Sequence, residues 1–321
     1  MIETLQSGLA QGLLWAVLTI GVFLTFRILD IPDLTVEGSF PLGAAVTVVL
    51  INNGASVGVA MLSCFIAGGL AGLVTGLLHT KLKIPAILAG ILTQIALYSV
   101  NIRIMSDKAT VALANDSLKT FVTSWLPEGM APNTISIIVG LIICAVIIFI
   151  LYRFFGTEIG CAIRATGSNQ KMARALGINT DAMINLCLAI SNALVALSGS
   201  LIAQFDYGSA LVNMGQGTIV IGLASVIVGE ILFIRKERNF AVMMAAVSAG
   251  AVIYRTIIAA ALTLPWMKAT DLKLITAAIV AIALAVPALQ KTGKLPSRTN
   301  KTDKSHDKKS TGQELGGAQN A

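Results

Sequence analysis

The chain has 321 residues, 55% of them hydrophobic and 12% charged, with a mean hydropathy of +0.82. Soluble domains carry about 25% charged residues, so this composition excludes an ordinary soluble enzyme or binding module and points to a bilayer as the solvent. The formal charge of +7 does not imply nucleic acid, because beyond Gln290 seven basic residues (Lys291, Lys294, Arg298, Lys301, Lys304, Lys308, Lys309) meet Asp303, Asp307 and Glu314, a net +4 in the tail alone.

A hydrocarbon core about 30 Å thick takes roughly 20 helical residues. Nine apolar segments qualify: residues 5–29, 39–53, 56–79, 84–102, 134–152, 184–204, 217–234, 240–262 and 274–289. The second is too short to cross comfortably against lipid. The first follows the acidic Glu3 rather than a basic leader and lacks a cleavage signature, so a retained span is expected. The sequence therefore predicts an all-α polytopic membrane protein with about nine transmembrane helices over residues 1–290. A basic tail at 291–321, rich in small polar residues, is expected to be disordered.

Lys and Arg in short loops stay on the cytoplasmic side. One set of alternate loops carries Lys81 and Lys83, then Arg153, Arg164, Lys171 and Arg174, then Arg235, Lys236 and Arg238, and finally the tail. The opposite set mixes Arg103, Lys108 and Lys119 with Asp107, Asp116 and Glu128, offers Asp206, and pairs Lys268 and Lys273 with Asp271. That asymmetry predicts an external N-terminus and a cytoplasmic C-terminus. Trp125 and Trp266 fall where outer aromatic belts would lie.

A shift of 179 residues sets Glu37-Gly38-Ser39 against Gln216-Gly217-Thr218, Gly43 against Gly222, and Leu5 against Ile184. The paired segments cross in opposite senses, the mark of an inverted repeat, and such repeats place the substrate route at their interface beside interrupted helices. Pro32 and Pro41 are expected to interrupt the helix around residues 33–43. Asp33, Thr35, Glu37 and Ser39, with Gln216 and Thr218 in the second half, are the pathway candidates. A turn capped by Ser39 is the structural alternative.

Charges at bilayer depth cost several kcal/mol unless paired or wet. Glu230 and Arg255 are the two candidates. Glu230 either serves function or pairs with Arg235 or Lys236 at its helix end; Arg255 either faces an aqueous route or snorkels outward.

The cytoplasmic connection at 153–183 contains GSNQKMARALGINTD. It predicts one short helix over 169–176, capped by Ser168 and stopped by a left-handed Gly177. Met172, Ala175 and Leu176 are its apolar knobs, with Lys171 and Arg174 beside them. The rod suits docking into a soluble partner or rest on lipid headgroups.

Arg164, Gly167, Asn169, Ala173, Gly177, Ile178 and Asn179, together with the run Asp33-Leu34-Thr35-Val36-Glu37-Gly38-Ser39, resemble the coupling loop and the Asp-Leu-Ser-x-Gly-Ser turn of permeases for branched-chain amino acids and ribose. The segment 29–43 is most similar to a branch linked to amino-acid uptake, including tryptophan and tyrosine. The resemblance implies the permease subunit of a type II ATP-binding-cassette importer in the bacterial cytoplasmic membrane, working as a homodimer. A cytoplasmic ATPase using ATP and magnesium and an external binding protein are its implied partners. Residues 164, 167, 169, 171, 172, 174–177 and 179 are the implied coupling set.

No GxxxxGK[ST] loop is present, the histidines are limited to His79 and His306, and Cys64, Cys144, Cys161 and Cys187 show no CxxC spacing. Neither catalysis, nor a metal, nor a bound cofactor is expected of this chain. The rival expectation is a secondary transporter in which Glu230 or Arg255 couples solute to an ion gradient.

Overall fold

Inside a bilayer no water pairs the backbone, so apolar runs must close their hydrogen bonds within helices. The structure, a computed structural model, describes residues 2–114, 118, 132–233, 239–261, 263, 276–278 and 281. Its helices are α1 (Ile2–Phe23), α2 (Val36–Asn52), α3 (Val57–Thr80), α4 (Ala86–Ile104), α5 (Pro132–Phe155), α6 (Glu158–Ser168), α7 (Gln170–Ala175), α8 (Thr180–Ile202), α9 (Thr218–Phe233) and α10 (Phe240–Ala261). Among the described residues seven stretches are long and apolar enough to cross a membrane, and α2 is a shorter apolar helix. These account for the first eight expected segments. The ninth, 274–289, lies outside the described residues apart from helical positions 276–278 and 281, as do Trp125, Trp266 and the tail.

Three local expectations need correction. Two short strands, β1 (Thr110–Ala112) and β2 (Ser209–Leu211), pair antiparallel with Val111 opposite Ala210, an element that three-residue runs do not announce in sequence. The loop at 153–183 holds two helices rather than one: Thr157 caps α6 by accepting from Gly160 N–H, and Asn169 caps α7 by accepting from Met172 N–H. Ser168 is thus the last residue of α6 and not a cap. Pro41, finally, lies inside α2 without breaking it.

The inverted repeat is visible in the backbone. Both α1 and α8 end in a π-helical turn, at Leu24–Ile28 and Ala203–Tyr207, and the same 179-residue shift superposes the two turns end to end. α1 and α8 run antiparallel, tied by Ser191 Oγ to the Gly21 carbonyl at 2.7 Å and by Ser198 Oγ to the Leu14 carbonyl at 2.9 Å. Each repeat's short helix then packs on the other repeat's first helix. Gly43 of α2 meets Ala196 of α8, while its counterpart Gly222 of α9 meets Leu18 and Val22 of α1.

α2 and α8 are parallel and in register, because Ser39 reaches Asn192 at 2.7 Å and Thr47 reaches Ser200 at 2.8 Å with the same sequence separation. That register sets Val36 level with Ala189, nine residues into α8, so α2 begins about 13 Å inside the bundle at 1.5 Å per residue. The chain between α1 and α2 therefore returns into the bundle before turning helical. Irregular backbone at that depth is tolerated only where protein or an aqueous cavity satisfies it. The core itself is apolar and dense, centred on Leu14, Leu18, Phe23, Phe40, Ile163, Leu188 and Val195.

Candidate functional site

The re-entrant chain is held by its own polar groups. Asp33, only 1% exposed, accepts from the Thr35 backbone N–H at 2.9 Å and from Asn192 Nδ2 at 2.7 Å. Asn192 Oδ1 accepts from Ser39 Oγ, and Thr35 Oγ1 joins Thr75 Oγ1 at 2.7 Å, which in turn donates to Thr93 Oγ1 at 2.9 Å. Four helices are thus pinned around one buried polar knot. Thr218 is likewise buried, its hydroxyl donating to the Gly215 carbonyl at 2.8 Å.

Glu37, the second residue of α2, is different. Its Oε1 accepts from Gly217 N–H at 2.9 Å, just ahead of α9, and its Oε2 accepts from Gln94 Nε2 of α4 at 3.0 Å. It borders a cavity of about 300 Å³ shared by Gln94, Tyr98, Asn101, Asn213 and Gln216. Of the six sequence-derived pathway residues, Glu37 and its repeat partner Gln216 meet at this cavity, whereas Asp33, Thr35, Ser39 and Thr218 are sealed in packing. Gln94 and Asn101 were not anticipated. They are polar, seven apart in an apolar run, hence on one helix face, and that spacing was the available signal.

At the end of the bundle where α1 finishes, seven of the ten described basic residues gather: Arg27, Lys81, Lys83, Arg153, Arg164, Lys171 and Arg174. α7 is a six-residue rod, with Ala173 buried beneath it and Met172 and Leu176 standing 51% and 70% exposed. Lys171 and Ala175 share the exposed side. Arg174 turns inward to the chain itself, donating to Thr180 Oγ1 at 2.6 Å and to Asp181 Oδ1 at 3.0 Å, while Lys83 lies 3.6 Å from the same carboxylate. Gly177 adopts φ +83, as a left-handed stop requires, and Asn179 caps α8 by accepting from Ala182 N–H at 3.1 Å. Arg164 is exposed, its Nη2 3.2 Å from Cys161 Sγ.

Gly167 links the two regions. It packs on the backbone of Ile28 and Leu29, and a β-carbon there would overlap the Ile28 carbonyl. The base of the α6–α7 loop therefore touches the point where α1 ends and the re-entrant chain begins.

Glu230 sits beside Arg27, with Oε1 2.8 Å from Nε, a partner not expected from the sequence; Arg235 and Lys236, the expected partners, lie outside the described residues. Arg255 covers the face of Trp15, its guanidinium carbon 3.7 Å from the ring centroid, a cation–π contact at the end of the bundle opposite the basic loops. Neither Glu230 nor Arg255 borders the Glu37 cavity.

Two repeats of opposite sense, short helices starting within the bundle and a cavity of mixed polar and apolar lining between them define a membrane-embedded solute permease. Residues 4–285 match the family described as the branched-chain amino acid transport system permease component, and the chain belongs to that family, whose members are permease components of ATP-binding-cassette transporters. It is 39% identical over 297 residues to the tyrosine transport system permease protein of Clostridioides difficile (strain R20291), covering 92% of this chain and 94% of that one. The autoinducer 2 import system permease protein LsrC of Photorhabdus luminescens is 26% identical, over 60% of this chain and 56% of its own. A solved metal-chelate type ABC transporter in an inward-facing conformation superposes with a TM-score of 0.48 at 15% identity, covering 90% of this chain and 85% of that one, too loosely to bear on mechanism.

Proposed function

We propose that this permease imports a small solute, an amino acid and foremost an aromatic one, through the Glu37 cavity in the bacterial cytoplasmic membrane. Its N-terminus lies outside and its C-terminus inside, two copies enclose the path, and an external binding protein delivers the solute. A separate ATPase, using ATP and magnesium, seats on α7. The tyrosine transport relative supports the substrate class, and the clustering of basic residues at the α7 end supports the orientation.

The observation that carries the mechanism is the backbone contact of Gly167 with Ile28 and Leu29. A push on Met172 and Leu176 travels through the short α6–α7 turn to the end of α1, along the chain at 29–35, and into α2. There Glu37 binds groups of α4 and of the second repeat. Alternating access is then a two-state equilibrium biased by nucleotide and by the loaded binding protein.

The test is uptake of labelled tyrosine into proteoliposomes holding the permease, its ATPase and its binding protein. The double change Met172→Asp with Leu176→Asp places charge on the exposed side of α7 and leaves Ala173 in place. It is expected to reduce ATP-driven uptake more than tenfold without altering the melting temperature of the permease. Wild-type rates from that variant would remove α7 from the coupling route. Uptake that proceeds without ATP and collapses with the proton gradient would decide for secondary transport. Arg174→Ala, by contrast, is expected to lower stability modestly, by about 1 kcal/mol, through loss of the exposed tie to Asp181 and Thr180. A melting temperature equal to that of the wild type would show that this tie contributes nothing.

A further inference from the structure

We infer that the Glu37 cavity binds the ammonium group of its solute, so that the membrane path itself, and not the delivery protein alone, selects amino-acid-like cargo. The identity of the cargo rests on the transport reading above; the cation preference rests on this site. The α2–α8 register sets Glu37 level with residue 190, near the middle of α8, where a charge costs several kcal/mol unless paired or wet. Yet both its oxygens accept only from neutral donors, Gly217 N–H and Gln94 Nε2. The ion pairs among the described residues are Arg27–Glu230, Lys83–Asp181 and Arg174–Asp181, and Glu37 is in none of them.

A carboxylate has about four acceptor positions, and two of those on Glu37 are taken, so capacity remains for a donor cation arriving through the adjoining cavity. The repeat supplies the contrast. The position equivalent to Glu37 is the neutral Gln216, on the same cavity, so the site carries its negative charge on one side only. Asn213 and Gln216 offer amide groups suited to a carboxylate, and Ile95 and the half-exposed Tyr98 offer apolar surface. A cavity of about 300 Å³ is at the small end of ligand sites, which span roughly 300–1,000 Å³, and suits a single amino acid.

The inference is tested on the full-length permease in nanodiscs, without binding protein, by introducing Ser99→Cys at the cavity. The background carries Cys161→Ser, because Cys161 is exposed and the other three cysteines are buried. A cationic trimethylammonium-ethyl methanethiosulfonate is compared with its anionic sulfonatoethyl counterpart. The cation-over-anion rate ratio is expected to fall at least fivefold on adding Glu37→Gln and to be retained by Glu37→Asp, which keeps the charge if the amide variant loses its fold. An unchanged ratio in a folded Glu37→Gln protein, or a ratio lost in a folded Glu37→Asp protein, overturns the proposal.

In a second arm, millimolar tyrosine is expected to slow modification of Ser99→Cys, and its analogue lacking the amino group, 3-(4-hydroxyphenyl)propionate, is not. Equal protection by both, or protection by neither, overturns ammonium recognition. A permease that shows the Glu37-dependent ratio and tyrosine protection, but whose complete complex imports no tyrosine, sinks the transport reading and leaves this inference intact.

Discussion

Gly43→Leu is expected to prevent the stable assembly of the two repeats. α2 and α8 approach so closely that a β-carbon at Gly43 would overlap the Ala196 carbonyl, and one at Gly199 would overlap the Phe40 carbonyl in return. Small residues permit such backbone approach in membranes, where tight packing rather than water drives association. Overpacking elsewhere typically costs about 1–3 kcal/mol because side chains can move aside. Here the obstacle is backbone, so the two helices must separate and the ties Ser39–Asn192 and Thr47–Ser200 must stretch with them. A loss of at least about 3 kcal/mol is expected, read as a collapse of the monodisperse peak on heating in detergent. Gly58→Leu is the control, since nothing lies within 4 Å of a β-carbon there. Equal melting of the two variants would mean that the α2–α8 contact is looser than the geometry states.

Asp33→Ala is expected to be nearly as damaging, through a different cause. It strands two donors, the Thr35 backbone N–H and one hydrogen of Asn192 Nδ2, whose other bond goes to the Leu188 carbonyl. Unsatisfied buried groups cost about 1–3 kcal/mol each, so a loss of roughly 2–4 kcal/mol is expected, with the start of α2 the first part to loosen. Asp33→Asn keeps one carbonyl acceptor but turns an amide donor toward the second donor, and an intermediate loss is expected. Combining Asp33→Ala with Asn192→Ala discriminates the cause: residues in one hydrogen-bonded network couple by about 0.5–3 kcal/mol. Strictly additive melting shifts would falsify the network and leave Asp33 as a simple turn residue.

The two acids of the re-entrant turn show where reading the sequence stopped. Asp33 and Glu37 both stood out as charges at the edge of a short apolar run, and nothing in their spacing separated them. Four residues apart, they lie about one turn from each other, yet one is sealed by Asn192 and the other borders a cavity with Gln216. The partners lie 159 positions away in one case and 180 in the other. Local pattern carries no information about contacts at that separation. Arg174 makes the same point on the loop: its charge marked a docking surface, and nothing in the sequence signalled that Thr180 and Asp181, only six and seven residues on, also hold it. The boundary between α6 and α7 was missed because Ser168 and Asn169 are both competent caps and only the backbone geometry chooses between them.

What the amino-acid order determined unaided was the succession of the first eight apolar helices, the end of the bundle that collects most of the described basic residues, and the 179-residue repeat that the paired π-turns bear out. These follow from hydropathy, charge and periodicity, which act over a helix length and survive averaging over many residues. Tertiary structure alone decided that α2 starts within the bundle, that Gly167 touches the end of α1, that Arg255 covers Trp15, and that Glu37 rather than Asp33 borders the cavity. The reason is rotational: a helix turns by about 100° per residue, so which polar group meets a partner helix, and which meets open space, is settled only when the helices pack.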